Sequence, residues 1–156
     1  FPLILVLDHL KAGFNVAKIL RTANAFGLFE VHLVGVPPFD PTPARGALKQ
    51  TRTKIYSSIE SSFQDLRERG YEIFAFEPKA NKKLGEKMFS EKTAFVFGHE
   101  EYGLSFIDDK VQLLSIPQFG QVESMNVSIV ASIASFEYLR QFHFTPPTTG
   151  EHYVST

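Results

Sequence analysis

The 156-residue sequence has no cysteine, which excludes disulfide bonds and cysteine-ligated zinc and leaves nothing tying the chain to an oxidising compartment. It has no apolar stretch long enough to span a bilayer. The run at residues 3–7 is too short for a secretory signal and lacks a basic lead, so a cytoplasmic address is expected. Internal repeats and low-complexity segments are absent. So is any large excess of charge: 16 Lys and Arg against 17 Asp and Glu give a formal net charge of −1. That balance is a poor footprint for a nucleic-acid binder, and any phosphate binding must come from a local patch. The five histidines, at positions 9, 32, 99, 143 and 152, show no ligand spacing, and no metal is expected.

What is present fits one globular domain over residues 1–156, with 44% hydrophobic and 21% charged residues. The chain starts at Phe1 and enters a strand almost at once, so an amino-terminal extension is expected to precede it. Strands are predicted at 3–7, 31–34, 72–76, 93–97 and 111–116, and helices at 14–26, 59–69 and about 124–141, with a weaker helical patch at 83–88. Gly27 and Gly70 read as helix stops. The alternation argues for an α/β fold, a mostly parallel sheet with helices on both faces. The Pro-Pro-containing tail after Phe144 is expected to be loosely ordered. Arg45, Lys49, Arg52 and Lys54 form a basic run without an acidic residue, entered through Pro37, Pro38, Pro41 and Pro43. It reads either as an RNA-facing patch or as a solvated loop.

Two stretches in the second half carry the most chemistry. Gly98-His99-Glu100-Glu101-Tyr102-Gly103-Leu104 follows one apolar strand, with glycines that let backbone approach a ligand. Ile116-Pro117-Gln118-Phe119-Gly120, running into Glu123-Ser124-Met125-Asn126-Val127-Ser128, leaves another and opens a helix. Both loops are expected at the carboxyl ends of neighbouring strands, where open α/β sheets bind ligands. In the last helix Val127, Ile129, Val130, Ile133, Phe136, Tyr138 and Leu139 do not keep to one stripe. A helix apolar on several sides must be buried on several sides, by a monomer core or by a partner subunit.

Three blocks together resemble the SpoU/TrmH family of RNA 2′-O-ribose methyltransferases, in the SPOUT superfamily, over nearly the whole chain. They are Leu7-Asp8 with the segment from Asn15 to Gly27, the G-x-E-x-x-G segment at Gly98 to Gly103, and Ile116-Pro117 with Ser124-Met125-Asn126-Val127-Ser128. The resemblance implies a carboxyl-terminal trefoil knot, an exception to the rule against threaded chains, together with a homodimer and S-adenosyl-L-methionine as methyl donor. It implies that Gly98, Ile116 and Met125 hold the donor through backbone groups, with Phe76, Glu77 and Gly120 also in the donor site.

Arg21 matches the family's catalytic arginine, which engages RNA and assists loss of the 2′-hydroxyl proton. A guanidinium is normally protonated and a poor base, which leaves Arg21 either as the base or as a largely electrostatic and orienting group; a solvent-facing helix cation is the bland alternative. Asn15, Glu100, Ser124 and Asn126 match the remaining polar site positions. Asn15 and Ser124 are equally plausible helix caps, whereas Glu100 either anchors its loop or orients Arg21. His99, Met125 and Ala17 depart from the common pattern, at positions where a small or amide residue, leucine and glycine are usual. The implied substrate is the ribose of tRNA or rRNA. A non-catalytic RNA-binding subunit is the alternative, and a dinucleotide enzyme is disfavoured because the loop after the first strand holds only Gly13.

Overall fold

Apolar runs without polar alternation become strands covered on both faces. In the computed structural model, which describes residues 1–142, β1 (Ile4–Asp8), β2 (Glu30–Val34) and β5 (Thr93–Phe97) are buried along their whole length. With β3 (Thr53–Tyr56), β4 (Glu72–Phe76) and β6 (Gln112–Leu114) they form one six-stranded sheet in the order β3-β2-β1-β5-β4-β6, every pair parallel. The tail after Phe144, with His152, and His143 before it lie outside the described residues.

Successive side chains of a strand point to opposite faces, and the two faces are covered by different helices. Leu5 and Leu7 of β1, with Phe74, Phe76, Phe95 and Phe97, join a core with α1 (Asn15–Ala25) and α4 (Val127–Phe142). Ile4 and Val6, with Ala75, Ala94 and Val96, join a second core with Ile59, Phe63 and Leu66 of α3 (Ile59–Glu68). The doubly covered parallel sheet is as the sequence predicts. The predicted stops also hold: Gly27 (φ 63°) follows α1, and the Leu28 amide returns to the Ala23 carbonyl at 2.8 Å. Ala17 is fully buried in α1.

Several expectations need correction. The basic segment is not only loop, since it contains a 3-10 turn at Thr42–Ala44, the short α2 (Ala47–Gln50) and β3. β3 is an edge strand whose Ile55 is 82% exposed, so it carries none of the apolar pattern that marks a strand. The patch at 83–88 contracts to a 3-10 turn at Leu84–Glu86, and α4 starts at Val127 rather than near residue 124. β5 and β6 are not neighbours, because β4 lies between them. The chain therefore passes from β5 over β4 to the outer edge, then returns to α4, which packs on α1 and β5.

Candidate active site

Parallel pairing aligns the carboxyl ends of β4, β5 and β6, with Ala75 beside Val96 and Phe76 beside Leu114. The segments leaving these three strands and the entry to α4 enclose an open cleft of about 680 Å³. Phe76, Glu77, Gly98, Glu100, Ile116, Ser124, Met125 and Asn126, singled out from the sequence, all line it. Gly120 does not line the cleft; it is exposed in the loop between Gln118 and Glu123, which do. Glu77 is fixed by its amide, which donates to the Leu114 carbonyl at 2.9 Å and ties β4 to β6 at the cleft floor.

Gly98 is required for a different reason than ligand approach. A Cβ built there would meet the Gly103 carbonyl carbon at 2.5 Å and the Leu104 nitrogen at 2.6 Å. The loop folds back on itself at that point, with reciprocal bonds between His99 and Gly103 of 2.9 and 2.8 Å. Glu100 anchors this loop through Oε2, which accepts from the Lys11 amide at 3.4 Å. Its Oε1 is buried and makes no hydrogen bond, as is the Oε1 of Gln118 across the cleft lining. Glu101 is exposed and pairs with the Lys11 ammonium at 3.2 Å.

Asn126, not Ser124, caps α4. Its Oδ1 accepts from the Ser128 amide at 2.9 Å and from the Ser128 hydroxyl. Its Nδ2 donates to Asn15 Oδ1 at 3.2 Å, which brings the start of α1 to the cleft edge. Ser124 is exposed on the lining. Asp8, in the first sequence block, seats the glycine loop. Fully buried at the end of β1, its carboxylate accepts from the Ser105 amide at 2.7 Å, the Ser105 hydroxyl at 2.6 Å and His9 Nδ1 at 2.7 Å. The available signal was an acid closing an apolar strand, which at that depth must be paired.

Arg21 does not reach the cleft, and it does not meet Glu100. It lies about 9 Å beyond Asn15 along the helix axis and is exposed in a second depression between α1 and α4, with Lys18, Thr22, Arg45, Ile129 and Ser132. Of the basic run, Arg45 shares that depression in a left-handed conformation (φ 52°), and Lys49 is exposed on α2. The Arg52 guanidinium sits 4.6 Å over the Phe29 ring. Lys54 turns away from the patch, lying 3.8 Å from Glu30 and 3.5 Å from Asp65.

Those two acids belong to a polar cluster built from β2, β3 and α3. The sequence spacing of the histidines hid it because its members come from separate elements. Arg69 Nη2 donates to Glu30 and to Asp65, both at 2.7 Å, and the Tyr56 hydroxyl donates to Asp65 at 2.8 Å. His32 Nε2 donates to Glu30 at 2.7 Å, so its Nδ1 accepts from Ser62. Burial works to raise the Glu30 and Asp65 pKa values, but hydrogen bonds and the cationic partners outweigh it and hold both below the ordinary range. Burial likewise holds His32 low and, with the Asp65 carboxylate, pushes the Tyr56 hydroxyl far up. Glu30, His32 and Asp65 are the only group with metal-ligand geometry among the described residues. Arg69 and Lys54 already supply cations there.

Comparison with known proteins agrees with this geometry. The model of the SpoU rRNA Methylase family matches residues 2–136. A tRNA (guanosine(18)-2′-O)-methyltransferase of Thermus thermophilus is 32% identical over 148 residues, covering 89% of this chain and 75% of that protein. The 23S rRNA (guanosine-2′-O-)-methyltransferase RlmB of Ralstonia nicotianae is 30% identical over 152 residues, covering 93% of this chain and 61% of that one. A solved structure concerned with 2-OH methylation of C/U34 on tRNA has a TM-score of 0.77 at 28% identity, covering 90% of this chain and 97% of the other. With the second and third sequence blocks gathered at one cleft, Asn15 of the first bonded at its edge and the family model spanning nearly the whole described chain, the protein belongs to the SpoU rRNA methylase family.

Proposed function

We propose that the protein is a methyltransferase that uses S-adenosylmethionine to methylate a ribose 2′-hydroxyl in tRNA or rRNA. The observation that carries this reading is the convergence of segments around residues 76, 98, 116 and 125 on one cleft with two buried, unpaired acceptors, Glu100 Oε1 and Gln118 Oε1. These fit the donor, a cation rich in N–H and O–H groups, because a buried acceptor left without a partner is costly. The donor supplies the electrophilic methyl carbon when bound. Phe76 walls its ring, while backbone groups of Gly98, Ile116 and Met125, together with Glu77 and the Gly120 loop, hold the rest. The trefoil knot belongs to the same reading and is supported by the crossover over β4 and the return to α4. So does a cytoplasmic address.

Ribose must be held in line with the donor and must lose a proton. Ser124 and Asn126 face it from the α4 side, with Asn15 behind Asn126. Arg21 completes the site from a second copy. Ile129 and Ile133 on α4 are 51% and 38% exposed, and Ile129 lines the same depression as Arg21. A homodimer packed through this face covers both side chains and sets the partner's Arg21 over the cleft, where its charge steadies the developing alkoxide. The basic residues Arg45, Lys49 and Arg52 then extend the surface along which RNA phosphates lie.

Labelled S-adenosylmethionine incubated with unmodified tRNA and rRNA, followed by mass-spectrometric mapping, tests the assignment. Label is expected at a ribose 2′-oxygen, with Arg21→Ala reducing it at least a hundredfold, the scale of losing one charge-stabilising group. RNA binding without transfer, with or without donor binding, would leave the non-catalytic alternative standing, and binding of neither RNA nor donor would remove both.

A further inference from the structure

The loop after β5 is built around an aromatic ring that faces solvent. The amides of Glu101 and Tyr102 donate to His99 Nδ1 at 2.9 and 3.2 Å, which fixes the imidazole with its proton on Nε2. The Tyr102 ring lies on the imidazole, with centroids 4.7 Å apart and planes 23° from parallel. Lys11 braces the turn from outside, through its amide to Glu100 and its ammonium to Glu101. Tyr102 is nevertheless 82% exposed, and it lines the cleft. A solvent-facing ring resting on a fixed imidazole presents a flat face with a reduced entropic cost on binding.

We infer that the Tyr102–His99 stack is the platform for the nucleobase of the RNA nucleotide whose ribose enters the cleft. This rests on the methyltransferase reading. The 2′-oxygen and the base sit on adjacent carbons of one ribose, so a ribose brought to a donor in the cleft carries its base to the cleft wall. Unpaired RNA bases are held by stacking on aromatic side chains, which tolerates base identity because every base has a π-face. The loop carries two acids, Glu100 and Glu101, and no lysine of its own, so its contribution to RNA is the ring and not phosphate attraction. The adenine of the donor shares this stacking chemistry. Phe76, only 8% exposed at the cleft floor, is the better wall for a ligand held inside, whereas Tyr102 stands at the rim.

The test compares Tyr102→Ala, Tyr102→Leu and Tyr102→Phe on unmodified tRNA and rRNA, with S-adenosylmethionine affinity measured by calorimetry. Alanine and leucine are expected to raise KM for RNA by roughly tenfold or more, the scale of one lost base stack, and phenylalanine to restore it. Donor affinity and the thermal midpoint are expected to stay as in the unaltered protein. A wild-type KM in the alanine variant overturns the platform. Rescue by leucine overturns it in favour of plain apolar packing, and weakened donor binding overturns it in favour of the donor's adenine. Anisotropy of fluorescein-labelled tRNA and rRNA reads the platform without turnover, so loss of methylation by the unaltered protein indicts the functional reading separately.

Discussion

Asn126 performs two tasks with one amide: its oxygen caps α4 and its nitrogen holds Asn15 at the cleft. Aspartate can cap equally well but cannot donate. Asn126→Asp is therefore expected to unfold at nearly the same denaturant concentration as the unaltered protein while methylating RNA far more slowly. Asn126→Ala loses both tasks and about 1 kcal/mol of stability with them; equal rates in both variants and the parent would count against any site role. At Gly98 the added methyl of alanine meets backbone, which cannot swing aside as a side chain does. Gly98→Ala is expected to lose measurable donor binding by calorimetry, and a wild-type Kd would show that the loop has room. Such positions are legible in a sequence because a motif fixes residue type and spacing. The placement of Arg21 is not: periodicity gives the phase of a helix, not what its exposed side faces.

The last helix shows how much an apolar pattern can say about an element. Its many-sided apolar character is real, with Ala131, Ala134, Tyr138 and Leu139 buried and Ile129 and Ile133 exposed. Small residues let α4 lie close to α1, where Thr22 and Ser132 share a hydrogen bond of 3.0 Å. If a second copy covers the exposed side, Ile133→Lys should shift the sedimentation coefficient from dimer to monomer. Methylation should fall because the partner's Arg21 is lost, with donor affinity little changed; a dimer that survives the lysine places the interface elsewhere. β3 escaped the same kind of reading. Thr-Lys-Ile-Tyr at the sheet edge has one pairing neighbour and no buried alternate face to write a pattern into the sequence.

Across the whole molecule, the βα alternation makes the parallel sheet legible, but strand order is decided by crossovers that leave no local trace. The separation of β5 from β6 by β4 is such a feature. The Glu30, His32, Asp65 and Arg69 cluster is another, joining three elements beneath the sheet, and it sets the response to acid. Glu30 and Asp65 are held below 4.5 and 3.8, so the stability they add is present above those values and is lost as pH falls through the folded pKa values. His32 is held below 6.5, so the unfolded chain takes up its proton first, and stability declines from that pH downward. Both effects have the same sign, and the urea midpoint should begin to fall below pH 6.5 and fall further below pH 4.5. Arg69→Ala leaves the buried Glu30 carboxylate, one oxygen of which is already unpartnered, without its closest cation. A loss of about 3–5 kcal/mol at pH 7 is expected, and a loss below 1 kcal/mol would mean that solvent reaches the cluster.

The clamp between Asp8 and Ser105 joins positions 97 apart in sequence. The seat of the glycine loop is thus owned by the first strand, and a fragment comprising only the second half of the chain would hold the glycine loop and the entry to α4 yet lack that seat. Recognition of the methyl donor accordingly depends on a docked amino-terminal strand, and detaching that strand would dismantle the donor's seat.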